Sequence, residues 1–528
     1  MLRLLLLLAV ASNASANIID QHLPTRSKPV DDATFVRRAY LDLTGRLPTI
    51  EAAQSFAKDS DPNKRQKLIK SLFPPLPITG MRSIKEDPFL DRWAYFFNDL
   101  FRNGQLLEEG INTFYDFIYK SLLLNVPYDE FVRDMITAST VSTWTDGPSN
   151  LIARSHVFEG DGYQINHEDT ADEIAINTTR IFLGVNLECV SCHDGKGHLE
   201  KVNIFLSQKK RADLWRQASF FGKTYIAPVY GRTPQFMVKD KAKGYDLKTA
   251  SSLRPPRKSK EPILPAFLFG GEAQPNETER QAYARLLTSH PQFARTIVNL
   301  TWAELMGTGI VDPPLDFDLA RQDPKHPPPA PWTLQPSHPE LLDALAADFR
   351  ANGHDLRRLI ETIVSSQAYA TNTHRTTRRL SAEQLWDAVG QVSGIQPEMK
   401  VTFSDKKFKY AMQARSPQDI EKSAKPVQRL LAQFGQCDRY AAEADRRPGM
   451  VQSALWMNEK VLLDRTKAVK DSRLEKLIAA KNPEALVDEL FWAALSRPPS
   501  AAEKAAALDA DPEDLLWAIF NRLDFLFY

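Results

Sequence analysis

The chain has 528 residues, so its length alone predicts several domains rather than one. It is 43% apolar and 25% charged, an ordinary globular balance with ample material for hydrophobic cores. The 67 basic and 66 acidic residues leave a formal net charge of +1, which excludes a bulk electrostatic nucleic-acid binder and gives no reason to expect an anionic membrane surface as partner.

The N-terminus reads MLRLLLLLAVASNASANIID. Arg3 is a positive start, Leu4 to Val10 a short apolar run, and Ala14-Ser15-Ala16 a small-x-small cleavage pattern. Residues 1–16 are therefore expected to be a secretory signal peptide. That run is too short to span a bilayer, and no later stretch is long and apolar enough. The mature chain is expected to be exported, to the periplasm or cell surface, without a transmembrane anchor. Thiols tend to oxidise there. Three cysteines are an odd number and too few for a disulfide scaffold.

From residue 31 the signals are mostly helical. DDATFVRRAYLDLTGRLPT places Val36, Tyr40, Leu43 and Leu47 at helical spacing, with Gly45 as the stop. Thr49 is expected to cap TIEAAQSFAKD, and Asp61-Pro62 to open DPNKRQKLIKSLF with proline in the first turn. DPFLDRWAYFFNDLFRN is aromatic-rich and predicted to be buried. GINTFYDFIYKSLLLNVPYDEFVRDMITAST reads as two helices broken at Asn125-Val126-Pro127. DTADEIAINTTRIFLG starts with acids that suit a helix dipole and ends at Gly184. TYIAPVY and QFMVKDKAKGYDLK are β-like, and the proline- and lysine-rich LRPPRKSKEPILP follows. Later, Ser337 with Glu340 and Ser381 with Gln384 form capping-box patterns. PEALVDELFWAALSRPPS and PEDLLWAIFNRLDFLFY close the chain as helices. The expected fold is mainly α: a helical domain over 17–222, a small β insertion and Pro/Lys-rich linker over 223–270, and a second helical domain over 271–528.

The chemistry concentrates in LECVSCHDGKGHLEK, where Cys189-Val190-Ser191-Cys192-His193 is a complete Cys-x-x-Cys-His motif. Read as a haem attachment site, Cys189 and Cys192 form thioethers to the two vinyl groups of one haem edge, and His193 supplies the proximal nitrogen to the iron. A zinc site drawing on Cys189, Cys192, His193 and His198 has suitable donors, but no second ligand pair completes it. A disulfide between Cys189 and Cys192, or from either to Cys437, would be structural and leave His193 without a chemical task. Spacing and compartment place haem slightly ahead of the disulfide and zinc third. His198, five residues past His193, reaches at most roughly 17 Å and is a poor distal ligand; His156, His167, Met135 and Met237 remain open for that role.

Other constellations have plainer readings. Glu168, Asp169, Asp172 and Glu173 read as an acidic helix start rather than paired catalytic carboxylates. SQKKR and RPPRKSK read as solvated basic surface. No glycine-rich phosphate loop, Gly-x-Ser-x-Gly elbow or His-Glu-x-x-His pattern occurs, so nothing nominates a catalytic set.

FVRRAYLDLTGRLPT, NVPYDEFVRDMITA and TRIFLGVNLECVSCHD resemble the exported bacterial domain known as the second planctomycete-type cytochrome domain. HPQFARTIVNLTWAELMGTGIVDP, SHPELLDALAADFRANGHDLRRLIETIVSSQAYA, RLSAEQLWDAV, QSALWMN and LSRPPS resemble the planctomycete-specific domain that commonly follows it. These are domains of unknown function 1549 and 1553, and together they cover most of the mature chain. The resemblance implies an extracytoplasmic, cytochrome-like protein with a covalent haem c at Cys189, Cys192 and His193, the last being the iron ligand. Cys437, in QCDR, matches a place where many members carry a cysteine-rich CxCxR-like segment; here one cysteine stands alone. After the motif the family usually continues His-Asp-His/Asn-Pro, whereas this chain has HDGKGHLEKVN and a longer loop; DLWRQASFFGK then resembles the family's YYGLAAFF helix. The implied role is electron transfer or redox sensing with an extracytoplasmic redox or envelope protein as partner, and the C-terminal domain docking it. The other reading is a non-redox binding or scaffold protein whose Cys-x-x-Cys is stapled by a disulfide. An enzyme acting on envelope or polysaccharide material is a third.

Overall fold

The computed structural model describes residues 17–75, 87–160, 163–229, 232–259, 263–439, 447 and 449–528. The expected signal peptide, 1–16, lies outside the described residues. The fold is mainly α, with two small antiparallel two-stranded sheets among the described residues. No helix among the described residues is long and apolar enough to cross a membrane.

Most helix boundaries follow local chemistry. The Asp32–Thr44 helix starts at Asp31, whose carboxylate accepts the Thr34 N–H, and stops at Gly45, which takes the left-handed φ of 69° open to glycine. Thr49 caps Ile50–Lys58. The Gly110–Leu123 and Tyr128–Thr137 helices part at residues 124–127, as the proline there requires. Ser381 and Gln384 form their reciprocal capping box. Two expectations fail. The helix expected to open at Asp61-Pro62 begins at Lys64, because Asp61 accepts the Asn63 N–H and holds those residues in a turn. Ser337 does not cap the Pro339–Ala351 helix: Pro339 takes the first helical position, His338 becomes the cap residue, and the Ser337 hydroxyl donates to the Ile310 carbonyl.

Thr224–Val229 pairs antiparallel with Arg232–Asp240, and Thr140 bridges to Val238, so the expected β insertion is tied to the N-terminal helices. The connector after it is pinned too. Arg257 pairs with Asp169 and, at 2.7 Å, with Asp172, and all three side chains are buried. Arg254 pairs with Glu173. RPPRKSK is therefore not simply solvated surface: its arginines neutralise the acids that open the His167–Leu183 helix.

The hydrophobic cores do not follow the expected partition at 222 and 271. One core gathers side chains from Ile19 to Tyr369, the other joins Leu41 and Leu47 to residues from Leu380 to Phe525. The helices Glu279–Ser289 and Pro291–Met306 carry apolar faces that pack on the N-terminal half: Phe293 stacks on Tyr128 at 5.1 Å, and the Tyr283 hydroxyl lies 2.8 Å from that of Thr178. The chain crosses between cores after Tyr369, and the Asp32–Thr44 helix serves both, with Phe35 and Val36 in one and Leu41 in the other.

Candidate functional site

The Cys-x-x-Cys-His motif sits where a long helix gives way to a short one. Gly184 ends His167–Leu183 with a φ of 65°, and a side chain there would meet the Phe317 ring at 2.5 Å. The Gly184 carbonyl accepts the Phe317 N–H. Buried Val185, Leu187 and Val190 then anchor the chain from below. Asn186 accepts the Glu188 N–H and starts the helix Glu188–Cys192.

Cys189 and Cys192, three residues apart, share a face of that helix, and both are exposed free thiols. Although exposed, the Cys189 thiol is pushed above its ordinary value, first by partial burial and then by the negative charge of Glu188 and Asp316. His193 leaves the helix in extended conformation, and its Nδ1 lies 2.9 Å from the Asp194 carbonyl oxygen. That contact assigns the Nδ1 proton to the carbonyl and leaves Nε2 as the available lone pair, as in metal-binding imidazoles. The His198 ring packs on His193 with centroids 4.3 Å apart, which leaves no space for a macrocycle between them.

Arg211 stitches this turn down. Its N–H donates to Asp194, its Nε to the Ser191 carbonyl, and its terminal nitrogens to the carbonyls of Pro255 and Pro256. Beyond the motif, Gly195 donates to the Lys209 carbonyl, and a Cβ there would lie 1.9 Å from the Leu206 oxygen, so only glycine fits.

The two cysteines and His193 thus fit a covalent haem in kind: two accessible thiols on one helix face and one oriented imidazole. The four residues left open as distal ligands are engaged elsewhere. Met135 is in the core, His156 packs between Phe158 and Phe236, His167 packs on Tyr225, and Met237 sits opposite Ala227 in the hairpin. His167 also stands at the far end of its helix, about 25 Å from Gly184. Among the described residues no three His, Cys, Asp or Glu side chains converge as a metal site. Cys437 is buried, and its sulfur accepts the Arg439 N–H.

Sequence reasoning missed a cavity of about 490 Å3 between the two cores. Leu315 and Asp316 line it, as do Arg92, Glu304, Gln436 and Cys437. Asp316 also acts on Cys189, so the rim of this cavity lies near the motif. Several of its residues fall in stretches read for helix formation, such as DPFLDRWAYFFNDLFRN and Ser381, but the lining is scattered over 346 positions, from Arg92 to Cys437, and no local pattern brings it together.

The fold and site together define a mainly α chain that presents a Cys-x-x-Cys-His turn at the edge of two interlocked cores. Two family models match the chain in series: PSCyt2, a protein of unknown function (DUF1549), over residues 16–221, and PSD1, a protein of unknown function (DUF1553), over residues 279–328 and 333–510. No curated protein and no solved structure matches the chain.

Proposed function

We propose that this chain is an exported, c-type-cytochrome-like protein carrying one haem, tethered through Cys189 and Cys192 with His193 as proximal ligand. Its role is electron transfer or redox sensing toward an extracytoplasmic redox or envelope protein. The observation that carries the reading is the joint placement of two free thiols on one exposed helix face and an imidazole whose Nδ1 is committed to the Asp194 carbonyl. When bound, the haem supplies a one-electron iron couple. The chain's own residues tether it, orient His193 through Asp194, and fix the turn through Arg211.

The test is a haem-stained denaturing gel with a pyridine haemochrome spectrum, on protein exported in a host that matures c-type cytochromes. The expected result is a covalent haem band that Cys192→Ala abolishes. A colourless protein that releases two thiols on reduction would instead support the non-redox scaffold with a Cys189–Cys192 disulfide, since thioethers release none.

A further inference from the structure

The cavity between the cores has features that the cytochrome reading does not use. At about 490 Å3 it lies in the range of small-molecule pockets. Its walls come from both families' segments: the helices Pro88–Leu100 and His167–Leu183 on one side, and on the other Pro291–Met306, residues 313–316, the start of Ala382–Ser393 and residues 434–437.

Charge in this lining is balanced. Arg92 pairs with Glu304, Asp99 pairs with Arg439 at 2.6 Å, and the Tyr95 hydroxyl donates to Glu383 at 2.6 Å. With Arg102, Arg180 and Asp316 added, the lining holds three guanidiniums and four carboxylates, and Arg439, outside the lining, supplies the fourth positive charge through its pair with Asp99. Gln436 stands apart. Its side chain lines the cavity, the residue is only 9% exposed, and neither Oε1 nor Nε2 makes a hydrogen bond. Native proteins seldom leave both ends of a buried carboxamide unmet.

We propose that this cavity binds an uncharged, polyhydroxylated small molecule, a sugar or polyol, with Gln436 as its principal reading residue. A hydroxyl group both donates and accepts, so neighbouring hydroxyls meet the Oε1 and Nε2 of Gln436 together. An ionic ligand would bring a charge with no free counter-charge into a partly dry site. Phe96 and Phe434 supply apolar wall for the C–H face of such a ring.

Calorimetric titration of the purified full chain with glucose, galactose, maltose and cellobiose tests this, alongside sodium acetate and phosphate as ionic probes. The expected result is saturable binding of at least one neutral sugar. Gln436→Leu should weaken that binding roughly tenfold or more, while far-UV circular dichroism and the melting temperature stay close to the parent's. Gln436→Glu keeps the shape and adds a charge, and it should weaken binding as well; it carries the test should the leucine variant fail to fold. No heat from any neutral sugar up to about 10 mM, binding of the anions alone, or binding that both variants leave unchanged would each overturn the proposal. The readout is independent of haem content, so failure here and failure of the cytochrome reading are separable.

Discussion

The chain uses cysteine in two contrasting regions. At Cys189 and Cys192 the thiols point outward from a short helix, over a base of buried apolar side chains and paired charges. At Cys437 the thiol is turned inward, beside Arg439, whose guanidinium pairs with Asp99 and donates to the carbonyls of Asn103 and Arg415. Both segments are held by an arginine bound to main-chain oxygens. They differ in what is left accessible: the first region shows its reactive atoms to solvent, whereas the second encloses them in a wall between cores.

Thiol labelling breaks or sustains that contrast most directly. Burial pushes the Cys437 thiol up to about 12, so about one part in ten thousand is thiolate at pH 8. In the haem-free protein, Ellman's reagent should modify Cys189 and Cys192 at least about a hundredfold faster than Cys437. All three should react alike in denaturant. Equal rates in the folded protein would remove the distinction between the regions.

What was legible in the sequence follows the same divide. Cys189, Cys192 and His193 are a contiguous pattern, and Gly45, Gly184 and Ser381 act on backbone within four residues. Each could be read without knowing the fold. Gln436 and the cavity could not, because their neighbours come from helices hundreds of residues away. The fate of Arg254 and Arg257 was hidden for the same reason: a basic run reads as solvated until Asp169, Asp172 and Glu173 are brought against it. The division into cores was also beyond local reading, since amphipathic helices such as Pro291–Met306 do not announce which half they pack on.

The largest expected stability effect lies where the two cores share a helix. Asp42 is buried, accepting hydrogen bonds from Arg375 at 3.0 Å, Arg378 at 2.6 Å, the Tyr369 hydroxyl at 2.7 Å and the Tyr528 hydroxyl at 2.8 Å. Burial opposes its charge, but the two arginines and two hydroxyls outweigh it and hold the carboxyl below its ordinary range. Asp42→Ala leaves two buried guanidiniums without their counter-charge and should cost about 3–5 kcal/mol in urea unfolding. A loss below about 1 kcal/mol would mean that the cores do not depend on this joint.

Asp387 sharpens the comparison from the opposite sign. It is buried and accepts the N–H groups of Ala411, at 2.6 Å, and Met412, at 3.1 Å, and burial still pushes it up to about 7. A carboxyl raised in this way holds its proton in the folded state after the unfolded chain has released it. Its contribution is complete below pH 4 and is lost as pH rises through 7. The two N–H donors only moderate the rise that burial causes, and the loss over that window should be roughly 2–4 kcal/mol. Asp387→Asn should flatten this slope, so that the variant gains on the parent toward pH 8. Parallel stability curves for the two proteins would show that the carboxyl ionises normally.

Glu503 marks the weak end of the series and tests whether pairing matters away from the cores. Its carboxylate takes two bonds from Arg497, both 2.8 Å, and one from the Ser500 N–H at 2.7 Å, and Arg522 pairs with it. The hydrogen bonds from Arg497 are the main reason it lies down at about 2, and its folded form therefore favours the ionised state. That stabilisation is present above about pH 4.5 and is lost as pH falls toward 2. The group is partly exposed, so solvent and salt screen the pairs, and Glu503→Gln should cost less than about 1 kcal/mol at pH 7. The difference should shrink further in high salt, while the cost of Asp42→Ala stays nearly constant because water and ions do not reach it. If salt moved both variants equally, burial would not be what separates the strong pair from the weak one.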